Sequence, residues 1–230
     1  MKAEKLLLIK DNPISEKTIN TDRKRKSQEQ EHKSETNRLS EESYYAHGSS
    51  YIDENVKIGN GTKIWHFSHI QKNAVIGTNC SIGQNVNIAP NVTIGNHVKI
   101  QNNVSVYEGV ELEDYVFCGP SSVFTNITFP RSKYPQKGTE FYKKTLVKEG
   151  ATLGANSTVV CGNMIGKHAF IAAGAVVASD VPDYGFMVGV PAKRKGWVCE
   201  CGTKLENGLT CSHCGRKYAE QDGKLSEVLK

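Results

Sequence analysis

Four cysteines near the C-terminus carry a specific chemical signal: Cys199-Glu-Cys201-Gly and Cys211-Ser-His-Cys214-Gly, with nine residues between the pairs. Paired thiolates at such spacing, each pair followed by glycine, suit tetrahedral coordination of Zn2+. A module of about 25 residues has too little core to fold without such a staple. Redox-active or metal-free thiols are the alternative. A structural zinc is expected rather than a catalytic one, because four cysteines leave no open ligand position. A second candidate is the run Trp65-His66-Phe67-Ser68-His69. A histidine beside a reacting amine could act as general base, since its unperturbed pKa lies near neutrality. An exposed histidine is otherwise a surface or interface residue. Gln84 and Asn102 follow His66 at intervals of 18, as Asn85 and Asn103 follow Phe67. These amides either hydrogen-bond to one another or form a polar wall facing a ligand cleft or a neighbouring subunit. Cys80 and Cys118 fall at core positions, and Cys161 has no neighbouring base, so covalent cysteine catalysis is not expected.

What must position these groups is a repeat of six. Ile52, Ile58, Ile64, Ile70, Ile76, Ile82, Ile88, Ile94, Ile100, Val106, Leu112 and Cys118 recur at that interval, each with a small or β-branched residue four places on. Neither a helix nor a hairpin sheet needs this period, whereas a parallel β-helix does. Three hexads per turn give an 18-residue coil, stacked about 4.8 Å from the next. The period by itself fixes neither three sides nor the handedness. The register breaks after Phe124 and resumes at Val147, Leu153, Val159, Ile165, Ile171 and Val177, so residues 125–146 are an inserted loop. Arg131, Lys133, Lys137, Lys143 and Lys144 make that loop basic, and so long an excursion from a regular rod points to function.

The expected organisation is all-β: a disordered polar tail (1–43), a β-helix domain (44–195) and a zinc-ribbon-like cysteine module with its tail (196–230). Nineteen of the first 43 residues are charged and none is aromatic, so this segment cannot bury enough surface to offset its ordering entropy. Net charge is +5 with no basic helix interleaved with aromatics, so no nucleic-acid partner is expected. Leu6 to Ile9 is too short to span a bilayer and lacks a signal-peptide cleavage pattern, so no membrane insertion is expected. The cysteine pattern is not a secreted disulfide framework, and a cytoplasmic location follows.

Several motifs narrow the reading. The hexads, Gly150-Ala-Thr-Leu-Gly-Ala-Asn-Ser-Thr-Val-Val-Cys-Gly162 and Val188-Gly-Val-Pro-Ala192 resemble those of the hexapeptide-repeat acyltransferases. Ile64-Trp-His-Phe-Ser-His-Ile70, Ile100-Gln-Asn-Asn-Val-Ser-Val-Tyr107, Phe117-Cys-Gly-Pro-Ser121 and Phe124-Thr-Asn126 look like the N-acetyltransferases of UDP-2-acetamido-3-amino-2,3-dideoxyglucuronate in surface-polysaccharide (lipopolysaccharide) synthesis. The resemblance covers Tyr44 to Trp197 and implies a left-handed parallel β-helix, a homotrimer with sites between subunits, and acetyl-CoA as donor. It places coenzyme at Gly154, Gly174, Gly189, Pro191 and Ala192, with Lys193 and Arg194 for its phosphates. It puts Asn126 beside the amine and Arg131 in a sugar-binding Pro-Arg-Ser element. A dTDP-linked 3-amino sugar is the rival acceptor. A carbonic-anhydrase-like metalloenzyme on the same rod would need His66, His69 and His97 to converge on one metal.

Overall fold

The computed structural model describes residues 43–136, 138–206 and 208–228; the expected polar tail lies outside them but for Ser43. Each hexad forms a short strand ending on its inward residue, then turns a corner. The residue three places after the inward one takes left-handed backbone, as at Asn73 (φ 60°), Asn85 (φ 54°), Asn91 (φ 59°) and Asn103 (φ 62°). Asparagine tolerates that conformation better than other side chains, which accounts for its recurrence there.

Every third strand stacks in parallel on the same face. Lys63–Ile64 pairs with Ser81–Ile82, and that strand with Lys99–Ile100, each step being 18 residues. Three such faces enclose one core, and the architecture is a left-handed parallel β-helix. The first face runs from Tyr45–Ala46 to Phe170–Ile171 and on to Gly185–Val188; the second runs from Tyr51–Ile52 to Val176–Val177; the third from Lys57–Ile58 to Met164–Ile165. The first corner joins first face to second, the second corner joins second to third, and the third corner closes the coil.

The isoleucines from Ile64 to Ile100 are buried inside this prism, every third one stacked above the last. Shaving one methylene from such a stack leaves a small gap, so Ile100→Val should lower unfolding stability by about 0.5–1.5 kcal/mol in urea titration. Of the buried polar side chains, Ser68 donates its hydroxyl to the Gly83 carbonyl at 2.7 Å and accepts the Val86 N–H at 3.1 Å, whereas the Ser122 and Ser157 hydroxyls have no partner among the described residues. Glycine follows many inward positions because coils approach closely there. A Cβ on Gly77 would lie 2.5 Å from the carbonyl oxygen of Gly95.

The inserted loop leaves the rod at the second corner. Phe124 ends a second-face strand, and Thr145–Val147 resumes on the third face beside Val110–Leu112. Lys143 N–H closes the loop's neck on the Asn126 carbonyl at 2.9 Å. At the far end, Gly185–Val188 pairs antiparallel with Lys193–Val198, which pairs antiparallel with Lys204–Leu205. The cysteine module thus continues the first face, and one strand crosses the boundary expected between residues 195 and 196. Among the described residues no helix is long and apolar enough to cross a membrane.

Candidate functional site

The first corner gathers most of the residues singled out from sequence. His66, Gln84, Asn102, Pro120 and Ala155 occupy successive coils. The carbonyl of each accepts an N–H from the next coil: from Asn85, Asn103, Ser121, Asn156 and Gly174, at 2.9–3.0 Å. Their amides also form a ladder. Asn102 Oδ1 accepts the Gln84 N–H at 2.9 Å, and Asn85 Nδ2 donates to Asn103 Oδ1 at 3.0 Å. The third corner has the same device: Thr78 N–H donates to Asn96 Oδ1 and Asn96 N–H to Asp114 Oδ1. Ladders of this kind are therefore a means of closing corners. The first corner is also flanked by exposed aromatic side chains. His66 stacks on His47 with ring centroids 3.5 Å apart, and Tyr45, Trp65 and Phe67 stand exposed nearby.

The last coils bring the expected coenzyme residues to this same corner. Val176 N–H donates to the Gly189 carbonyl at 3.0 Å, and Ala192 N–H to the Val176 carbonyl at 2.7 Å. Pro191, on a cis peptide bond, lies between them. Gly174 has φ 69°, and a Cβ on it would meet nothing within 4 Å, so its surface is open. A Cβ on Gly154 would lie 2.5 Å from the Ala173 nitrogen, so coil stacking alone requires that glycine. Lys193 and Arg194 are exposed at the start of the strand that follows.

Asn126 and Arg131 are elsewhere. Asn126 is half-buried at the second corner, where the loop departs. Its coil is that of Pro120, three beyond His66, a rise of about 14 Å at about 4.8 Å per coil. Arg131 is exposed on the loop and donates Nη1 to the Pro130 carbonyl at 2.9 Å. The loop carries an open surface cleft of about 330 Å³ lined by Thr128, Phe129, Gln136, Glu140, Phe141 and Lys143. Cys161 points out of the prism yet is buried, its sulfur 3.8 Å from Thr128 Oγ1.

Two histidine environments go beyond the sequence expectations, although Tyr115 follows His97 by 18 and so shares its column. His69 Nε2 meets Asp53 Oδ1 at 2.8 Å, and the second carboxylate oxygen accepts the Lys72 N–H at 3.1 Å. The partners are 16 apart rather than 18, so a search along columns misses them. His97 stacks on Tyr115 with centroids 4.8 Å apart. His66, His69 and His97 sit on the first corner, the second face and the third corner, so within one protomer they do not converge.

Among the described residues, one group of histidine, cysteine and carboxylate side chains is placed to hold a metal: Cys199, Cys201, Cys211 and Cys214, whose sulfurs all lie within 4.8 Å of one another. Cys199 and Cys214 are 3.4 Å apart and Cys201 and Cys211 3.5 Å, with no disulfide between them. A regular tetrahedron with zinc–sulfur bonds of about 2.3 Å has edges of about 3.8 Å, so the quartet fits that ion. The Cys214 backbone N–H pulls the Cys211 thiol down to about 6. The backbone N–H of Arg216 lowers Cys214, while burial pushes Cys199 up to about 12.

Stacked hexads, three faces and one shared core define the class: a hexapeptide-repeat β-helix. Residues 55–90 match the family model described as bacterial transferase hexapeptide (six repeats). The chain is 45% identical over 93 residues to the dTDP-3-amino-3,6-dideoxy-alpha-D-galactopyranose 3-N-acetyltransferase of Aneurinibacillus thermoaerophilus, covering 39% of this chain and 48% of that protein. It is 36% identical over 85 residues to the galactoside O-acetyltransferase of Lactococcus lactis, covering 36% of this chain and 41% of that one. The chain thus spans about half the length, or less, of these curated relatives. A solved structure of a GDP-perosamine N-acetyltransferase variant from Caulobacter crescentus, with CoA and GDP-perosamine, is 25% identical with a TM-score of 0.46, over 67% of this chain and 58% of that one.

Proposed function

We propose that this protein is an acetyl-CoA-dependent N-acetyltransferase acting on the 3-amino group of a nucleotide-linked sugar, and that it works as a homotrimer. One observation supports the reading: the residues expected to hold coenzyme and the loop with Asn126 stand on different corners of the same rod. A cleft containing both needs the first corner of one copy against the second corner of another. A three-fold axis parallel to the rod supplies that cleft three times.

The chemistry asks for little beyond placement. The neutral amine attacks the thioester carbon, the carbonyl oxygen gains charge, and backbone N–H groups stabilise it. The C–S bond then breaks, and the amine proton leaves with the CoA sulfur. Asn126 orients the amine, and holding amine and thioester in attack geometry supplies much of the acceleration.

A parallel three-fold axis keeps every residue at its own height, so His66 stays about 14 Å from the level of Asn126 at about 4.8 Å per coil. That favours the sulfur over His66 as proton acceptor and puts His66, with Gln84, Asn85, Asn102 and Asn103, along the rest of the substrate. His66→Ala should therefore raise KM while leaving kcat within about twofold, the pattern of a lost binding contact. A fall in kcat of about a hundredfold or more would instead mark it as the base.

For the acceptor, the motifs favour a UDP-linked uronate of surface-polysaccharide synthesis, with Arg131 and the loop lysines facing its carboxylate. The relative 45% identical to this chain favours a dTDP-linked 3-amino sugar. Comparing kcat/KM on the two sugars decides: preference for the uronate supports the first, preference for the dTDP sugar the second. A structural Zn2+ on the cysteine quartet completes the proposal. Reduced thiols and an acetyl-CoA donor accord with a cytoplasmic location.

A further inference from the structure

The cysteine module and the coenzyme end of the rod share one strand. Lys193 and Arg194 open it, Trp197 and Val198 end it, and Cys199 follows directly. The Arg194 guanidinium lies 3.9 Å over the Trp197 ring. Its Nη1 donates to Glu220 Oε1 at 3.4 Å, and Trp197 Nε1 donates to the other oxygen of that carboxylate at 2.9 Å. Glu220 belongs to the strand Tyr218–Gln221, whose first residue is tied to the quartet: the Tyr218 hydroxyl is 3.1 Å from Cys199 Sγ and accepts the Glu200 N–H at 3.1 Å. Tyr218 also packs edge-on against Tyr184, next to the last strand of the rod, with centroids 5.4 Å apart. An unbroken series of contacts therefore runs from the thiolates through Tyr218 and Glu220 to Arg194.

We propose that the cysteine module positions Arg194 for the phosphates of the coenzyme, so that metal at the quartet and CoA on the rod bind cooperatively. The inference rests on the acetyl-CoA reading above and assigns Trp197 and Glu220 as positioning residues. Arginine has five N–H donors in a planar fork. With the plane held over Trp197 and Nη1 directed at Glu220, 35% of the side chain remains exposed, leaving donors for a phosphate. Metal at the quartet fixes Cys199 and Tyr218, and with them both ends of this clamp. Such coupling is reciprocal: whatever factor zinc adds to CoA affinity, CoA adds to zinc affinity.

The test is calorimetric titration of CoA, without acceptor, into the full chain loaded with Zn2+ and into the same chain after chelation. We expect CoA to bind at least about fivefold more weakly to the stripped chain, the lower end of allosteric couplings. We also expect CoA to slow zinc transfer to a chromogenic chelator. Glu220→Ala should keep one zinc per chain while its ratio of CoA affinities falls to about one, which a purely structural role would not produce. Equal CoA affinity in both metal states of the wild type overturns the inference and leaves the transferase reading standing. A variant that keeps the wild-type ratio overturns the role of Glu220. No zinc uptake overturns the inference, and no CoA binding in either state overturns the coenzyme reading with it.

Discussion

Stripping zinc from the metal-loaded full chain is expected to unfold residues 199–228 and leave the β-helix folded. Two cores of different size underlie this. The prism core is continuous from Ile64 to Met187, each coil burying its aliphatics against the next. The module's core consists of Trp197, Cys199, Leu205, Cys211, Tyr218 and Leu225, two of them prospective ligands. Structural zinc contributes about 10–16 kcal/mol in small modules, whereas burial of the four non-ligand side chains supplies about 6–12 kcal/mol before the entropy of ordering about thirty residues is subtracted, so the module needs the metal. Hydrogen exchange should show Tyr218–Gln221 and Lys224–Glu227 losing protection on chelation while the Ile100 coil keeps it. Retained protection in both strands would show that the module folds without metal. Acidification should act as chelation does. Zinc binding requires the four cysteines as thiolates and so releases protons, and affinity climbs with pH.

Asn126→Ala should lower kcat about a hundredfold or more, the cost of a small misplacement at the reacting centre. CoA affinity and trimer assembly should be unchanged. Asn126 sits at the neck of the inserted loop, where its backbone carbonyl, not its side chain, accepts from Lys143. Removing the carboxamide therefore leaves the neck closed. Turnover within twofold of wild type would remove Asn126 from the mechanism.

The rod was legible because its cause is local and repeated: an aliphatic every sixth residue and a small side chain four places later suit the stacked coils of a parallel β-helix, while the three sides emerge from the strand pairing. The recurring asparagines were legible as a column but not as its reason. Asn85 and Asn103 take left-handed backbone at a corner, and Phe67, His97 and Tyr115 take it too without any residue-type signal. The placing of the candidate site residues on two corners was also hidden, since it depends on where residues 125–146 leave an 18-residue coil. The Asp53–His69 pair and the Arg194–Trp197–Glu220 cluster join residues at spacings outside the repeat. The cysteine quartet, by contrast, was readable from spacing alone, and its sulfurs do converge.

The most direct test of the acetyltransferase account is to incubate the full chain with acetyl-CoA and each of the UDP- and dTDP-linked 3-amino sugars, and to follow free thiol and sugar mass together. The account predicts that one sugar becomes an acetyl group heavier, with one thiol released per product and none when that sugar is omitted. Thiol release without an acetylated sugar, or no release with any of them at saturating acetyl-CoA, would contradict it.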